Sequence, residues 1–215
     1  PRRRRGGAQP LPPGSAVRRA VRPERRAKGP GEQGWGPAGF ARGAGRHALA
    51  LARRGFGVTG LDRSSVLLSA AAEARDAEGL AVDLRLADMR ALPLEGVAPY
   101  DAVISLFHVM SYQTTDADLA AAFATAAAHL APAGVFLFDF WYGPAVLAQR
   151  PEERVKRLED EDIRVTRIAK PAMRVNENVV DVNYSVSIEV KASGQVQEVR
   201  ETHAMRYLFL PEIEQ

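Results

Sequence analysis

Two glycines, followed about twenty residues later by a carboxylate, constrain the fold of this chain more than any other feature. Gly43 and Gly45 precede a short run with helical spacing, and residues 58 to 61 then have the pattern of a β-strand that ends at Asp62. Glycines let the backbone pass close to a ligand, and the start of the next helix presents unpaired N–H groups. Asp62 could accept hydrogen bonds from ribose hydroxyls. The pattern predicts half of a nucleotide-binding βαβ unit, although a glycine pair alone also closes ordinary turns.

Strand-like and helix-like segments alternate downstream of this unit. Residues 64 to 77 and 115 to about 130 have capped helical patterns, and residues 81 to 86, 100 to 106 and 135 to 140 have apolar strand patterns. Strands of continuous apolar character between helices are typical of a parallel sheet covered on both faces. The sequence therefore predicts an α/β fold with a Rossmann-like, doubly wound, mostly parallel sheet.

The pattern changes after residue 143. Apolar residues at even positions from 180 to 190 alternate with polar ones, which is the period of a half-exposed strand. Residues 163 to 169 and 196 to 210 are also strand-like. We expect residues 38–150 to form the core, residues 151–210 an appended antiparallel β subdomain of about three strands, and residues 211–215 the start of a truncated C-terminal helix.

The first 37 residues differ in composition from the rest of the chain. They contain seven of the 14 prolines, and residues 1 to 36 carry a net charge of +8 while the remainder carries −5. Such a segment buries too little apolar area to offset its ordering entropy, so we expect disorder. It could be a basic arm for nucleic acid or an acidic membrane. A third alternative is a GC-rich coding sequence translated in the wrong frame.

The 215 residues suffice for one sizeable core. The chain contains no cysteine, which excludes disulfides and thiolate zinc sites. No apolar run reaches the roughly 18 residues that span a bilayer. We expect a cytoplasmic protein without membrane partners, and oligomeric state is left open.

Five segments in order resemble the class I S-adenosylmethionine-dependent methyltransferases. They are the first helix at 45–56, the second strand at 58–62, the Asp88-Met89 segment, and the fourth strand with its loop at 100–112 followed by the turn at 129–136. The resemblance implies that S-adenosyl-L-methionine is the cofactor, that Asp62 binds the ribose, and that Asp88 and the N–H of Met89 face the adenine. Residues implied as cofactor contacts are Gly43, Gly45, Asp62, Arg63, Asp88, Met89 and Leu106.

The resemblance also implies a small-molecule methyl acceptor, because an antiparallel insert after the fifth strand is similar to that of a subgroup that includes amino-sugar N-methyltransferases. His108 and Tyr112 follow the fourth strand and are the candidate catalytic residues for N- or O-methyl transfer. The structural alternative is that His108 caps the strand and Tyr112 packs on the insert. We expect Asp139 and Trp141 to end the fifth strand beside the same crevice, and Phe107, Phe138 and Phe140 to pack in the core. We predict no metal site.

The first motif departs from the family pattern. Alignment on the two glycines places Gly39 where the family has an acidic residue and Ala41 where it has a first glycine, and residues 25 to 40 do not have a strand pattern. We therefore expect a damaged enzyme that lacks its first strand and is poorly soluble or partly unfolded. Two other functions fit parts of the sequence: an NAD-dependent oxidoreductase, from the spacing of Gly43, Gly45 and Ala48, and a nucleic-acid-binding protein, from the basic tail alone. Because only the tail supports the second, we do not expect a nucleic-acid partner.

Overall fold

The computed structural model describes residues 45–91 and 99–214 in full and the backbone of residues 38–41. Predictions for residues 1–37 and for Gly43 lie outside the described residues. All described residues belong to one compact unit. Its strands form two five-stranded sheets, a parallel sheet from the first half of the chain and a mainly antiparallel one from the second half.

The parallel sheet alternates strands with helices, as the sequence predicts. The elements in chain order are β1 (Ala38–Ala41), α1 (Arg46–Ala52), β2 (Val58–Asp62), α2 (Ser65–Ala77), β3 (Val82–Leu86), β4 (Tyr100–Leu106), α3 (Asp116–Ala128) and β5 (Leu130–Phe138). The strand order is β3-β2-β1-β4-β5, and every pairing is parallel. The sheet is doubly wound, as predicted, and the strand order places its switch point between β1 and β4.

The expectation that the chain lacks a first strand is wrong. Residues 38 to 41 pair on one side with β2, where Gly39 lies opposite Gly60, and on the other with β4, where Gly39 lies opposite Ile104. The sequence pattern failed here because alanine and glycine are depleted in strands, whereas the ladder hydrogen bonds of a central strand use only backbone groups. The two neighbouring strands therefore have a partner between them.

The helix starts follow from side-chain caps. The Ser64 hydroxyl accepts a hydrogen bond from the Leu67 N–H at 3.3 Å, and the Thr115 hydroxyl accepts one from the Asp118 N–H at 3.1 Å. Each cap satisfies one of the donors that the first helical turn leaves unpaired. Helix α3 ends at Ala128, two residues earlier than predicted, because the buried His129 occupies its C-terminal cap.

The fifth strand begins earlier and ends earlier than residues 135 to 140. Tyr100 pairs with Leu130, the ladder then shifts register, and Ala102 pairs with Val135. The intervening turn contains Ala133 in the left-handed region, with φ of 64°. The residues on both sides of this turn pair with β4, so the strand includes the turn. The sequence did not predict this because Pro132 and Gly134 interrupt the strand pattern.

The second sheet is larger than the three strands predicted. It comprises β6 (Trp141–Tyr142), β7 (Arg154–Glu159), β8 (Ile163–Arg174), β9 (Val179–Val190) and β10 (Gln195–Leu208), in the order β6-β10-β9-β8-β7. Helix α4 (Gly143–Gln149) follows β6, and the short helix α5 (Leu210–Ile213) follows β10. The sequence missed β7 because all six of its residues are exposed, so its charged and apolar residues do not alternate between core and solvent.

Trp141 lies in this second sheet. It pairs in parallel with Tyr207 of β10, so the expectation that it ends the fifth strand is wrong. The chain leaves β5 at Phe138 and enters the second sheet three residues later because a backbone N–H bond from Trp141 to the Ser111 hydroxyl, 2.8 Å long, directs it there.

Separate apolar clusters support the two sheets. Helix α3 packs on β4 and β5 through Phe123, Phe136 and Phe138, whose rings lie 4.7 to 5.8 Å apart. The second cluster centres on Val180, Met205 and Tyr207. The longest helices among the described residues have 13 residues each, and none of these helices is long and apolar enough to cross a membrane.

Candidate active site

The candidate site lies where the parallel strands end. The carboxyl ends of β2, β3 and β4 carry Asp62, Leu86 and Leu106, so their following loops meet along one edge of the sheet. Ligands of open α/β sheets bind at this edge, next to the switch point in strand order. The second sheet continues the chain immediately beyond the end of β5.

Gly45 is required by its backbone and by its neighbours. Its φ is 63°, and a Cβ atom at this position would lie 2.8 Å from the Cβ of Ala71 on α2. Only glycine adopts this conformation without strain, and only glycine fits against that helix. Among the described residues, the group that comes close to Gly45 is Ala71 and not a ligand. Helix packing alone is therefore sufficient to explain the glycine at this position.

Asp62 has one engaged and one unengaged carboxylate oxygen. Its Oδ1 accepts a hydrogen bond from the backbone N–H of Ser64 at 2.8 Å. Its Oδ2 is buried and has no hydrogen-bond partner among the described residues. A buried carboxylate oxygen without a partner costs free energy, and a hydroxyl donor from a ligand would remove that cost. The side chain also lines a recess between α1 and α2, together with Gly45, His47, Leu67 and Leu106.

Asp88 is held by arginines. Its Oδ1 accepts hydrogen bonds from the backbone N–H of Arg90 at 2.9 Å and from its Nε at 3.0 Å, while Oδ2 accepts one from Arg90 Nη2 at 2.6 Å. The Nε of Arg63 lies 3.5 Å from the same Oδ2. These bonds, chiefly those from Arg90, lower the pKa of Asp88 to about 2, so the group is ionised at neutral pH.

Arg90 extends this network to the start of α3. Its Nη1 donates a hydrogen bond to Asp118 Oδ1 at 2.7 Å, and the pKa of Asp118 is lowered mainly by that bond. The arginine thus fixes the loop after β3 against the helix that follows β4. The sequence analysis assigned no role to Arg90, although its position two residues after Asp88 was visible.

Met89 and Leu106 differ in exposure. Met89 belongs to the main core cluster, and its sulfur lies 3.5 Å from the Gln113 Nε2 that donates to it. Its side chain therefore anchors the loop in the core, so that only the backbone N–H of Met89 could make the predicted contact with the cofactor. Leu106 lines the recess beside Asp62.

Phe107 and His108 occupy an unusual turn at the end of β4. Both have positive φ, 64° and 60°, which non-glycine residues adopt only at a cost. Asp139 holds the turn, because Oδ2 accepts the Phe107 N–H at 3.1 Å and Oδ1 accepts the His108 N–H at 2.7 Å. The prediction that Phe107 packs in the core is wrong. It is 61% exposed, since the left-handed turn directs its ring away from the sheet, 5.2 Å from the ring of His47.

His108 opens onto a second recess. Its ring lies 6.3 Å from that of Trp141, and both line a wide recess that also includes Tyr142, Gln149, Arg150, Glu152 and Arg154. Nδ1 of His108 lies 3.6 Å from Asp139 Oδ2. The recess combines an imidazole, an indole and charges of both signs, which suits a polar ligand of small size.

Tyr112 turns toward the second sheet. Its hydroxyl forms a 2.7 Å hydrogen bond with Nδ1 of His203 on β10, and Nε2 of His203 lies 3.0 Å from Glu201 Oε2. The two rings meet edge to face at 5.7 Å. His108 and Tyr112 therefore face different surroundings, the first a recess and the second a polar chain inside the interface of the two sheets.

Comparison with known proteins agrees with this geometry. Residues 39–134 match the methyltransferase domain family. These residues form a methyltransferase domain. The resemblance to class I S-adenosylmethionine-dependent methyltransferases is confirmed, and so is the Rossmann-like α/β fold class.

Solved structures share the fold of this chain over most of its length. The S-adenosylmethionine-bound amino pentose methyltransferase CalS10 from Micromonospora echinaspora is 24% identical, with a TM-score of 0.68 over 92% of this chain and 75% of that one. The sugar N-methyltransferase KedS8 from Streptoalloteichus sp. is 20% identical, with a TM-score of 0.70 over 83% and 68%. An S-adenosylmethionine-dependent methyltransferase from Clostridium acetobutylicum is 21% identical, with a TM-score of 0.69 over 83% and 69%. No curated protein sequence matches the chain.

Besides those of Arg90, several contacts near the candidate site were not predicted from the sequence. Asp139 was placed beside the crevice, but its bonds to the turn at residues 107 and 108 were not foreseen. His203 and Glu201 were not singled out at all. The available signal was a histidine within an alternating strand pattern, which by itself does not identify a partner 91 residues away. Across the described residues, no group of three or more His, Asp or Glu side chains converges to hold a metal ion.

Proposed function

We propose that this methyltransferase transfers the methyl group of S-adenosylmethionine to the nitrogen or oxygen of a small polar molecule, with an amino sugar as the first candidate. The observation that supports this most directly is the buried, unpartnered Oδ2 of Asp62 at the end of β2, inside a methyltransferase domain. A ribose hydroxyl is a donor of the kind that this oxygen lacks.

The residues present fit the cofactor. Asp62 would bind the ribose, Leu106 and the recess beside it would contact apolar parts, and the backbone at Met89 would meet the adenine ring. Bound S-adenosylmethionine supplies an activated methyl group on a positively charged sulfur. The protein contributes positioning and exclusion of water, because methyl transfer requires the acceptor in line with that methyl group.

An adenine contact of Asp88 requires that the carboxylate has an acceptor position left for the adenine amine. An ionised carboxylate offers about four acceptor positions, and Arg90 already takes three of those on Asp88. The fourth lies on Oδ2, which the exposed Arg63 approaches only to 3.5 Å. An adenine amine could therefore bind Asp88 if the Arg63 side chain moves aside.

The recess around His108 and Trp141 is the proposed acceptor site. It adjoins the carboxyl end of β4 and contains Arg150, Glu152 and Arg154, which could contact hydroxyl, amine or acidic groups. CalS10 and KedS8 are described as an amino pentose methyltransferase and a sugar N-methyltransferase, and this supports the choice of an amino sugar. The cytoplasmic location expected from the sequence stays a prediction, and the oligomeric state is open.

Titration calorimetry with S-adenosylhomocysteine and with NAD separates this proposal from the oxidoreductase alternative. We expect binding of S-adenosylhomocysteine and no heat with NAD. Transfer of radiolabelled methyl from S-adenosylmethionine to D-glucosamine, other small amines and phenols then identifies the acceptor class. NAD binding without a response to S-adenosylhomocysteine would contradict the proposed function.

A further inference from the structure

We propose that the exposed ring of Phe107 recognises the positive charge of S-adenosylmethionine, so that the protein binds the charged cofactor in preference to its neutral product, S-adenosylhomocysteine. The inference rests on the proposed function and adds to it a residue that the sequence analysis placed in the core. Two observations carry it, the position of Phe107 between the two recesses and the backbone conformation that exposes its ring.

Phe107 links residues of the two recesses. Leu106, the last residue of β4, lines the recess beside Asp62, and His108 lines the recess proposed for the acceptor. Phe107 lies between them in the chain, and its ring is 5.2 Å from the ring of His47, which also lines the first recess. A methyl group that passes from a cofactor in one recess to an acceptor in the other must lie between the two. Phe107 is therefore placed to contact the group that carries this methyl.

The backbone imposes the exposure of this ring. Val103 and Ser105 of β4 are both 0% exposed, and an extended strand would place Phe107 on the same buried face. The left-handed turn at Phe107 and His108 removes it from that face, and the two backbone N–H bonds to Asp139 hold the turn. The fold thus gives up the burial of a large apolar ring and accepts an unfavourable backbone conformation, a combination typical of ligand-binding sites.

The face of an aromatic ring attracts cations. The ring quadrupole makes both faces partly negative, and a cation within about 6 Å of the ring centre is stabilised. The Phe107 ring is tilted by 48° against that of His47 and is 61% exposed, so much of its surface is left for a ligand. The positive sulfur of S-adenosylmethionine is bonded to three carbons and has no N–H or O–H donor. A ring face suits such a charge, because the contact needs no hydrogen-bond donor.

The charge contact has a consequence for product release. S-adenosylmethionine and S-adenosylhomocysteine differ by one methyl group and one positive charge. Contacts to the adenosine part, such as the one proposed for Asp62, are common to both molecules and cannot separate them. A contact that depends on charge favours the cofactor alone, so Phe107 lowers the extent to which the product of one turnover competes with the cofactor for the next.

Calorimetric titration of the full chain with each of the two molecules, without an acceptor, measures both dissociation constants and their ratio. Phe107→Leu keeps an apolar side chain on the same turn but removes the ring face. We expect it to weaken S-adenosylmethionine binding by about threefold to tenfold, and to change S-adenosylhomocysteine binding by less than about twofold. Phe107→Trp provides a larger aromatic face and should bind S-adenosylmethionine at least as tightly as the wild-type protein does.

Phe56→Leu is the matched control. It makes the same substitution in a ring that packs on the apolar cluster below α1, before the amino end of β2 and thus at the opposite edge of the sheet. The ratio of the two dissociation constants should keep its wild-type value.

Two results with Phe107→Leu would overturn the inference. An equal loss of affinity for both molecules would show that the ring makes only an apolar contact or supports the turn, and unchanged affinity for both would show that it does not contact the cofactor. Failure of the proposed function is a separate outcome, in which the wild-type protein binds neither molecule and the inference falls with it.

Discussion

The proposed cofactor side and the proposed acceptor side of this chain are held together in different ways. On the proposed cofactor side, the carboxylates at the strand ends accept mainly local hydrogen bonds, Asp62 from Ser64 and Asp88 from Arg90, although Arg90 also donates to the more distant Asp118. On the acceptor side they join distant parts of the chain, from Tyr112 to His203 and from His108 to Asp139. Local contacts leave a motif in the sequence, whereas distant ones exist only after separate strands or sheets have packed together.

The strands themselves show the same difference. Those of the parallel sheet have four to nine residues, and those of the antiparallel part, β7 to β10, reach 14. Short parallel strands end at one edge, where loops collect ligands. Long antiparallel strands instead carry side chains of alternating direction across a wide face, and one such face carries His203, which forms a hydrogen bond with Tyr112.

The largest effect on the free energy of unfolding is expected for core substitutions, which test whether the two sheets unfold together. Val103 in β4 and Val180 in β9 are both 0% exposed, one in each sheet. Val103→Ala and Val180→Ala should each lower the free energy of unfolding by about 2 to 3 kcal/mol, from lost apolar burial and the cavity left behind. Urea unfolding followed by far-UV circular dichroism should show one transition shifted by either variant. Two separate transitions would mean that the sheets are independent units.

The ribose contact tests the cofactor side directly. Asp62→Ala removes the buried oxygen that lacks a partner and the bond to Ser64, and we expect S-adenosylhomocysteine affinity to fall by about 1 to 3 kcal/mol. Calorimetry measures the change, and circular dichroism of the same sample controls for folding. Unchanged affinity in a folded variant would move the ribose contact to another residue.

The turn at residues 107 and 108 tests the distant contacts. Asp139→Asn leaves one acceptor oxygen for two N–H groups and removes the negative charge, so we expect a loss of about 1 to 2 kcal/mol in unfolding free energy. A lower kcat with intact S-adenosylhomocysteine binding would place the effect on the acceptor side. Equal loss of cofactor binding would show that this turn also supports the cofactor.

The pH dependence of stability tests the local contact between Asp88 and Arg90 on the proposed cofactor side. Its pKa is lowered in the folded protein from 3.8 to about 2, so the carboxylate is ionised and fully stabilising above pH 4, and that stabilisation is lost as the pH falls from about 4 to 2. Arg90→Met should remove about 1 kcal/mol at pH 7 and flatten this part of the pH dependence. The measurement is the urea midpoint at several pH values for both proteins. Parallel pH profiles would show that Arg90 does not hold Asp88 ionised.

Arg63 should have the smallest effect. Its side chain is exposed, and the carboxylate that it approaches among the described residues is that of Asp88, at 3.5 Å. If adenine takes that position, Arg63→Ala should leave S-adenosylhomocysteine affinity within about twofold, or slightly improve it. A tenfold loss of affinity would instead make Arg63 itself a cofactor contact, as the sequence resemblance implies.

The prediction of a damaged, poorly soluble enzyme stays a prediction. Its energetic argument relied on a missing central strand, and β1 now pairs with both neighbours. A cooperative thermal transition of the chain together with methyl transfer would contradict the prediction.

The sequence by itself determined the alternation of strands and helices, the position of Asp62 at a strand end, and the Asp88-Met89 segment, because these depend on local periodicity and caps. It failed for β1, whose place is set by backbone pairing, and for β7, which has no buried face. Only the tertiary structure decided that Trp141 joins β10, that Phe107 faces outward, and that His203 meets Tyr112. Such contacts depend on how whole sheets pack, which no short stretch of residues encodes.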